Sequence, residues 1–132
     1  MTLDEIRDYF ETNYTDISLF EQVSIGKIDN NLDNALCFYN SKRNVAYVNT
    51  LNVSTYTLKP ITILMRNGKN QAIAERNIMR IHKFFDRRKA VINKRNVLFK
   101  LLYENPITLG TDANGIIEYS LEIDVMIEKE ES

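Results

Sequence analysis

The stretch Pro106-Ile107-Thr108-Leu109-Gly110-Thr111-Asp112-Ala113-Asn114-Gly115 leads into a run that ends at Glu128, and this region decides the fold. In the run, Ile117, Tyr119, Leu121, Ile123, Val125 and Ile127 alternate with Glu118, Ser120, Glu122, Asp124, Met126 and Glu128. Side chains on a strand point to opposite faces in turn. A period of two therefore puts the apolar set on one face and an acidic stripe on the other, which no amphipathic helix can do. Twelve residues at ~3.3 Å each span roughly 40 Å, well above the usual strand length. A strand with one dry and one charged face is scaffold or interface material.

Working outward, the turn before this strand is dense in Asp, Asn and Gly. Asp112 and Asn114 can bond their own backbone, and Gly115 accepts positive φ. Asp112-Ala113-Asn114-Gly115 resembles a fragment of a calcium loop. Setting Asn114-Gly115 at the fifth and sixth loop positions leaves Gly110 and Leu121 at the first and twelfth, where oxygen ligands are required. The segment is read as a turn.

Two segments carry helical periodicity. Thr2 and Glu5 have capping-box spacing, and Leu3, Ile6 and Phe10 share a face, so a helix is predicted from Thr2 to Asn13. Asn70 can cap a second, from Gln71 to about Arg87. There Ala74, Ile78, Ile81 and Phe85 form the buried stripe, widened by Ile73 and Phe84. Strands are predicted at Ile17 to Ile28, bent at Gly26, and at Ala35 to Tyr39. Further strands are predicted at Val45 to Leu51, joined to the previous one by a hairpin turn at 40–44, and at Thr57 to Arg66. Pro60 argues for an edge position near it. A short strand at Ala90 to Asn93 and one at Val97 to Glu104 precede the final turn. The fold class is α+β: one domain over residues 1–132, with a largely antiparallel sheet and two helices packed on one face.

The 132 residues carry a net charge of −1. That figure hides a segregation. Residues 1–34 sum to −6, residues 35–100 to +12 and residues 101–132 to −7. Charge blocks of this kind point to polar association. The densest basic segment holds Arg80, Lys83, Arg87, Arg88, Lys89, Lys94 and Arg95, with Asp86 the one acid among them. Two readings of it stand. It meets an acidic surface on a neighbour, with Glu118, Glu122, Asp124 and Glu128 as the acidic candidates. Alternatively it binds phosphates as a nucleic-acid module. Against the second, Phe84 and Phe85 fit the core face of the helix better than a base-stacking platform.

Catalytic chemistry finds no foothold. His82 is the one histidine and Cys37 the one cysteine. Nothing places a nucleophile beside His82, and there is no phosphate loop and no multi-cysteine zinc pattern. Cys37 lies in an apolar run and is expected to be a buried structural thiol. No cofactor or metal is expected. No apolar run approaches the ~18 residues that suggest a transmembrane helix, and no secretory leader is read.

The segment Leu109-Gly110-Thr111-Asp112-Ala113-Asn114-Gly115-Ile116-Ile117-Glu118-Tyr119-Ser120, followed by the alternating strand, resembles the end of phage tail terminator proteins. These are also called tail-completion or minor capsid proteins of long-tailed bacteriophages. The order of elements is similar over most of the chain. The resemblance implies a small α+β structural protein, not an enzyme, that caps the head-proximal end of the tail tube and ends its polymerisation. It implies a homo-oligomeric ring, a hexamer by the family's example. The implied partners are the tail tube protein and a head-completion or connector protein, with DNA only as passing cargo and no membrane. Assembly would take place in the host cytoplasm and end in the virion. Another head–tail connector component is the nearest alternative.

Overall fold

The computed structural model describes residues 1–42 and 56–129. The predicted strand Val45 to Leu51, and the last two residues of the turn that leads to it, fall outside these residues. The order is α1 (Leu3–Asn13), a 3-10 turn (Ile17–Leu19), β1 (Gln22–Ile25), β2 (Asn34–Asn40), β3 (Tyr56–Asn67), α2 (Gln71–Phe85), β4 (Lys89–Ile92), β5 (Arg95–Leu101), β6 (Ile107–Thr111) and β7 (Ile117–Glu128).

The seven strands form one sheet in the order β1-β2-β3-β7-β5-β4, with β6 also paired to β7. Every pair is antiparallel except β1 with β2. β7 is the centre of the sheet. One flank pairs with β3 from Arg66↔Glu118 to Tyr56↔Glu128. The other flank is shared, with β6 on its first half and β5 on its second.

The alternation read from the sequence holds along β7. Ile117, Tyr119, Leu121, Ile123, Val125 and Ile127 are all buried in the main core. That core also takes Ile6 and Phe10 of α1 and Ala74, Ile78, Ile81 and Phe85 of α2. Both helices thus cover the same sheet face. α1 packs on β1 and β2 and reaches β4, while α2 lies over β5 and β7. Phe10 joins the helices, 5.3 Å from the Phe84 ring and 5.5 Å from the Phe85 ring. A smaller cluster of Ile28, Ala35 and Cys37 fills the opposite face at the β2 end, and Cys37 is a buried free thiol there.

The helix ends follow the predicted chemistry. The Glu5 carboxylate accepts from the Thr2 N–H at 3.1 Å and from the Thr2 hydroxyl at 2.9 Å. Asn70 Oδ1 accepts from the Ile73 N–H at 3.1 Å.

Four expectations are corrected. Residues 17–28 are not one strand: a 3-10 turn comes first, β1 has only four residues, and the chain leaves it through Gly26 at φ +75°. Pro60 does not mark an edge, because β3 lies between β2 and β7. Its carbonyl accepts from the Ser41 N–H, so its missing donor faces β2 just where that ladder ends, at Asn40↔Ile61. Ile73 does not widen the α2 stripe, since it is half exposed. β6 replaces what was read as the approach to a turn. Four of its five residues are exposed, so it carries no alternation to read.

Candidate functional site

The acidic candidates stand in a line on β7 and point away from the helices. None is fully exposed, and each has a partner within the chain. Glu118 Oε2 lies 3.4 Å from Arg66 Nη1. Glu122 accepts from the Thr62 hydroxyl and, at 3.4 Å, from Ser41 Oγ. Asp124 is in register with Lys100 and is likewise engaged. Glu128 Oε2 accepts from Asn96 Nδ2 at 2.6 Å. On the same face, the register aligns Leu58, Met126 and Leu98 as a partly buried apolar row.

The basic candidates are divided among three places. Arg80, Lys83 and Arg87 lie exposed on and just beyond α2. Arg80 Nη1 sits 3.7 Å from Asp16 Oδ2, and Arg87 turns the chain at φ 54°. Arg88 is different. Its Nε donates to the Tyr9 hydroxyl at 2.6 Å, and its guanidinium carbon lies 3.9 Å from the Phe84 ring centre. This side chain pins α1 to the end of α2 and is only partly accessible. Lys89 lies on the acidic face of the sheet, in register with Leu98. Lys94 is in the turn joining β4 to β5, where Asn93 and Lys94 have φ 51° and 64°, the mirror-image turn that suits a tight hairpin. Arg95 is half-buried and engaged within the chain.

Phe84 and Phe85 are held in the aromatic cluster between the helices, on the core face of α2. Phe84 stands edge-on to Phe10, Tyr14 and Phe85. Phe85 is fully buried. Phe84 is half-buried, with the Arg88 guanidinium over its ring.

The residue that sequence reasoning missed is Arg66, only 2 % exposed. Its Nη2 donates to Asp112 Oδ2 at 2.8 Å and to the Asn30 carbonyl at 3.3 Å, and its Nε donates to the Leu32 carbonyl at 3.1 Å. With Glu118 as the fourth partner, one guanidinium ties β3, β7, the loop before β2 and the turn before β7. Asp112 completes that turn by accepting from the Asn114 N–H at 2.8 Å and the Ile116 N–H at 2.9 Å. The Ile116 N–H, and after it the Arg66 guanidinium, hold the Asp112 carboxyl below the usual aspartate range. The available signal was a lone Arg at the end of an apolar strand.

An open groove of about 480 Å³ runs between the end of α2 and the chain after β5, lined by His82, Arg87, Lys100 and Tyr103 among others. His82 Nε2 is 3.1 Å from the Tyr103 carbonyl. A carbonyl only accepts, so this nitrogen carries the proton and is occupied. Burial pushes the Tyr14 hydroxyl up to about 12. Among the described residues no group of His, Cys, Asp or Glu could hold a metal ion, and no helix is long and apolar enough to cross a membrane.

A family model described as bacteriophage tail terminator protein covers residues 8–129. No curated protein and no solved structure gives a significant match.

Proposed function

The chain belongs to the bacteriophage tail terminator family, and we infer from that membership that it closes the head-proximal end of the tail tube. It is a structural protein of the phage tail, and so a component of the virion. Its proposed work there is to end polymerisation of the tube and to offer the surface on which the head-completion complex docks. Copies of the chain do this as a closed ring, six by the family's example, assembled in the host cytoplasm, with DNA passing through as cargo.

The observation that carries this reading is the family match, which runs from α1 to the last described residue. Two features of the molecule support it. Arg80, Lys83 and Arg87 lie exposed on and just beyond α2, where a neighbouring protein can reach them. The buried charge, Arg66, serves to stiffen the turn before β7 rather than to face a substrate.

The test is tube length. Tail tube protein is polymerised with increasing amounts of the purified chain, and lengths are measured by negative-stain electron microscopy. Substoichiometric chain should shorten the tubes in proportion to the amount added. Tubes of unchanged length, with the chain bound nowhere on them, would overturn the capping role.

A further inference from the structure

α1 carries four acids, Asp4, Glu5, Asp8 and Glu11, against one base, Arg7. Residues 71–87, which span α2, carry four bases, Arg76, Arg80, Lys83 and Arg87, against Glu75 and Asp86. The two helices lie side by side over the sheet, with Phe10 of α1 against Phe84 and Phe85 of α2. Their outer faces therefore form an acidic ridge beside a basic one.

The ridges share a repeat. Asp4, Asp8 and Glu11 are spaced i, i+4, i+7, and so are Arg76, Arg80 and Lys83. At ~1.5 Å per residue each set runs about 10 Å along its helix. All six side chains are exposed. Pairing within the molecule is incomplete. Arg7 serves Asp8 at 2.7 Å and Glu11 at 3.1 Å, and the Arg80 pair with Asp16 is itself exposed. Arg76, Lys83 and Arg87 hold no ion pair among the described residues. The α2 face also exposes Ile73 and Met79, by 50 % and 40 %. Apolar side chains of that size suit a protein contact and have no use against a phosphate backbone.

We propose that the basic ridge of α2 in one copy docks on the acidic ridge of α1 in the next, and that this is the contact through which the chain associates with itself. This rests on the ring put forward above and names its surface. The acids of β7, which already have partners in their own chain, are not required for it. The two ridges are different patches of one molecule. Repeated contacts therefore run head to tail and close as a ring, or pair off reciprocally between two copies. Opposed charge at such a surface sets partner choice and register.

Two charge-reversed chains test it: Arg76→Glu with Arg80→Glu, and Asp8→Lys with Glu11→Lys. Circular dichroism checks that each is folded, and the neutral pair Arg76→Gln with Arg80→Gln stands in if the first is not. Native mass spectrometry and sedimentation at low salt read the assembly. The wild-type chain should form a closed oligomer. Each reversed chain alone should associate at least tenfold more weakly, and the neutral pair should fall between. An equal mixture of the two reversed chains should regain the oligomer with the two alternating, because every docked pair again joins opposite charges. Reversed chains that assemble like wild type, or a mixture that does not recover, would overturn this surface while leaving tube capping to its own assay. A wild-type chain that stays monomeric at every concentration would overturn the self-contact itself.

Discussion

Replacing Arg66 by Met tests how the turn before β7 is held. Methionine keeps much of the side-chain length and removes the guanidinium. Four contacts go with it: two carboxylates at 2.8 and 3.4 Å and two carbonyls at 3.1 and 3.3 Å. Breaking a buried ion pair from one side costs about 3–5 kcal/mol, because the remaining charge is stranded. Here the stranded carboxylates keep 22 % and 23 % exposure, so water reaches them and the cost falls toward the lower end. The two carbonyls lose a donor at roughly 1 kcal/mol each, and the buried methionine returns part of this. The net expectation is a loss of about 2–4 kcal/mol. Urea denaturation reads it as a lower midpoint at unchanged slope. Arg66→Lys keeps the charge but not the planar fork, and should fall between. A cycle with Asp112→Asn should show coupling of at least about 1 kcal/mol. A loss below about 1 kcal/mol for Arg66→Met, or strict additivity with Asp112→Asn, would refute the claim that one guanidinium locks the turn.

Ile123 is fully buried between Ile61 and Leu101 in register, so Ile123→Ala should cost about 2–5 kcal/mol by chemical denaturation; a loss under about 1 kcal/mol would mean that β7 is not central. Arg87→Gly should be neutral or stabilising by up to about 1 kcal/mol, since a left-handed φ penalises a side chain more than glycine's extra freedom costs. Arg88→Ala, one residue on, should lower the melting temperature by several degrees through the lost Tyr9 and Phe84 contacts; equal small effects at both positions would contradict the distinction. The Ile116 N–H, and after it the Arg66 guanidinium, hold the Asp112 carboxyl below the usual aspartate range. Its folded-state pKa is depressed, so the stability it contributes is present above the unfolded value and is lost as pH falls through the folded one. Carboxyl NMR should show a midpoint below that of an unperturbed aspartate, with the Ile116 amide losing exchange protection in the same range; an ordinary or raised midpoint would contradict the bonding described.

The parts of the fold legible in the sequence are those where one face is dry and the other wet. β7 and α2 meet that condition, and their burial follows the predicted period at every apolar position but Ile73. β6 was hidden because solvent reaches both of its faces, so no selection for alternation acts on it. β1 was overextended because the apolar residues from Ile17 to Ile28 serve three local shapes. Pro60 misled because the edge rule concerns the side on which the N–H is missing, and sequence does not say which neighbour lies there. The surfaces were less legible still. Arg87 and Arg88 are the same residue type in adjacent positions. Only the end of α2, where Arg87 turns the chain, sends one guanidinium to solvent and folds the other onto Tyr9 and Phe84. Arg66 ended up buried because its four partners come from segments 34 to 52 residues away, a convergence that no local pattern records.

The central claim is that this chain sits at one end of the tail tube and nowhere else. Gold-labelled chain added to isolated tails that lack it, and viewed by electron microscopy, tests that most directly. The account predicts one cluster of label per tail, always at the end that joins the head, and tails that then accept heads. Label along the tube wall, at the distal tip, or absent from tails altogether would contradict it.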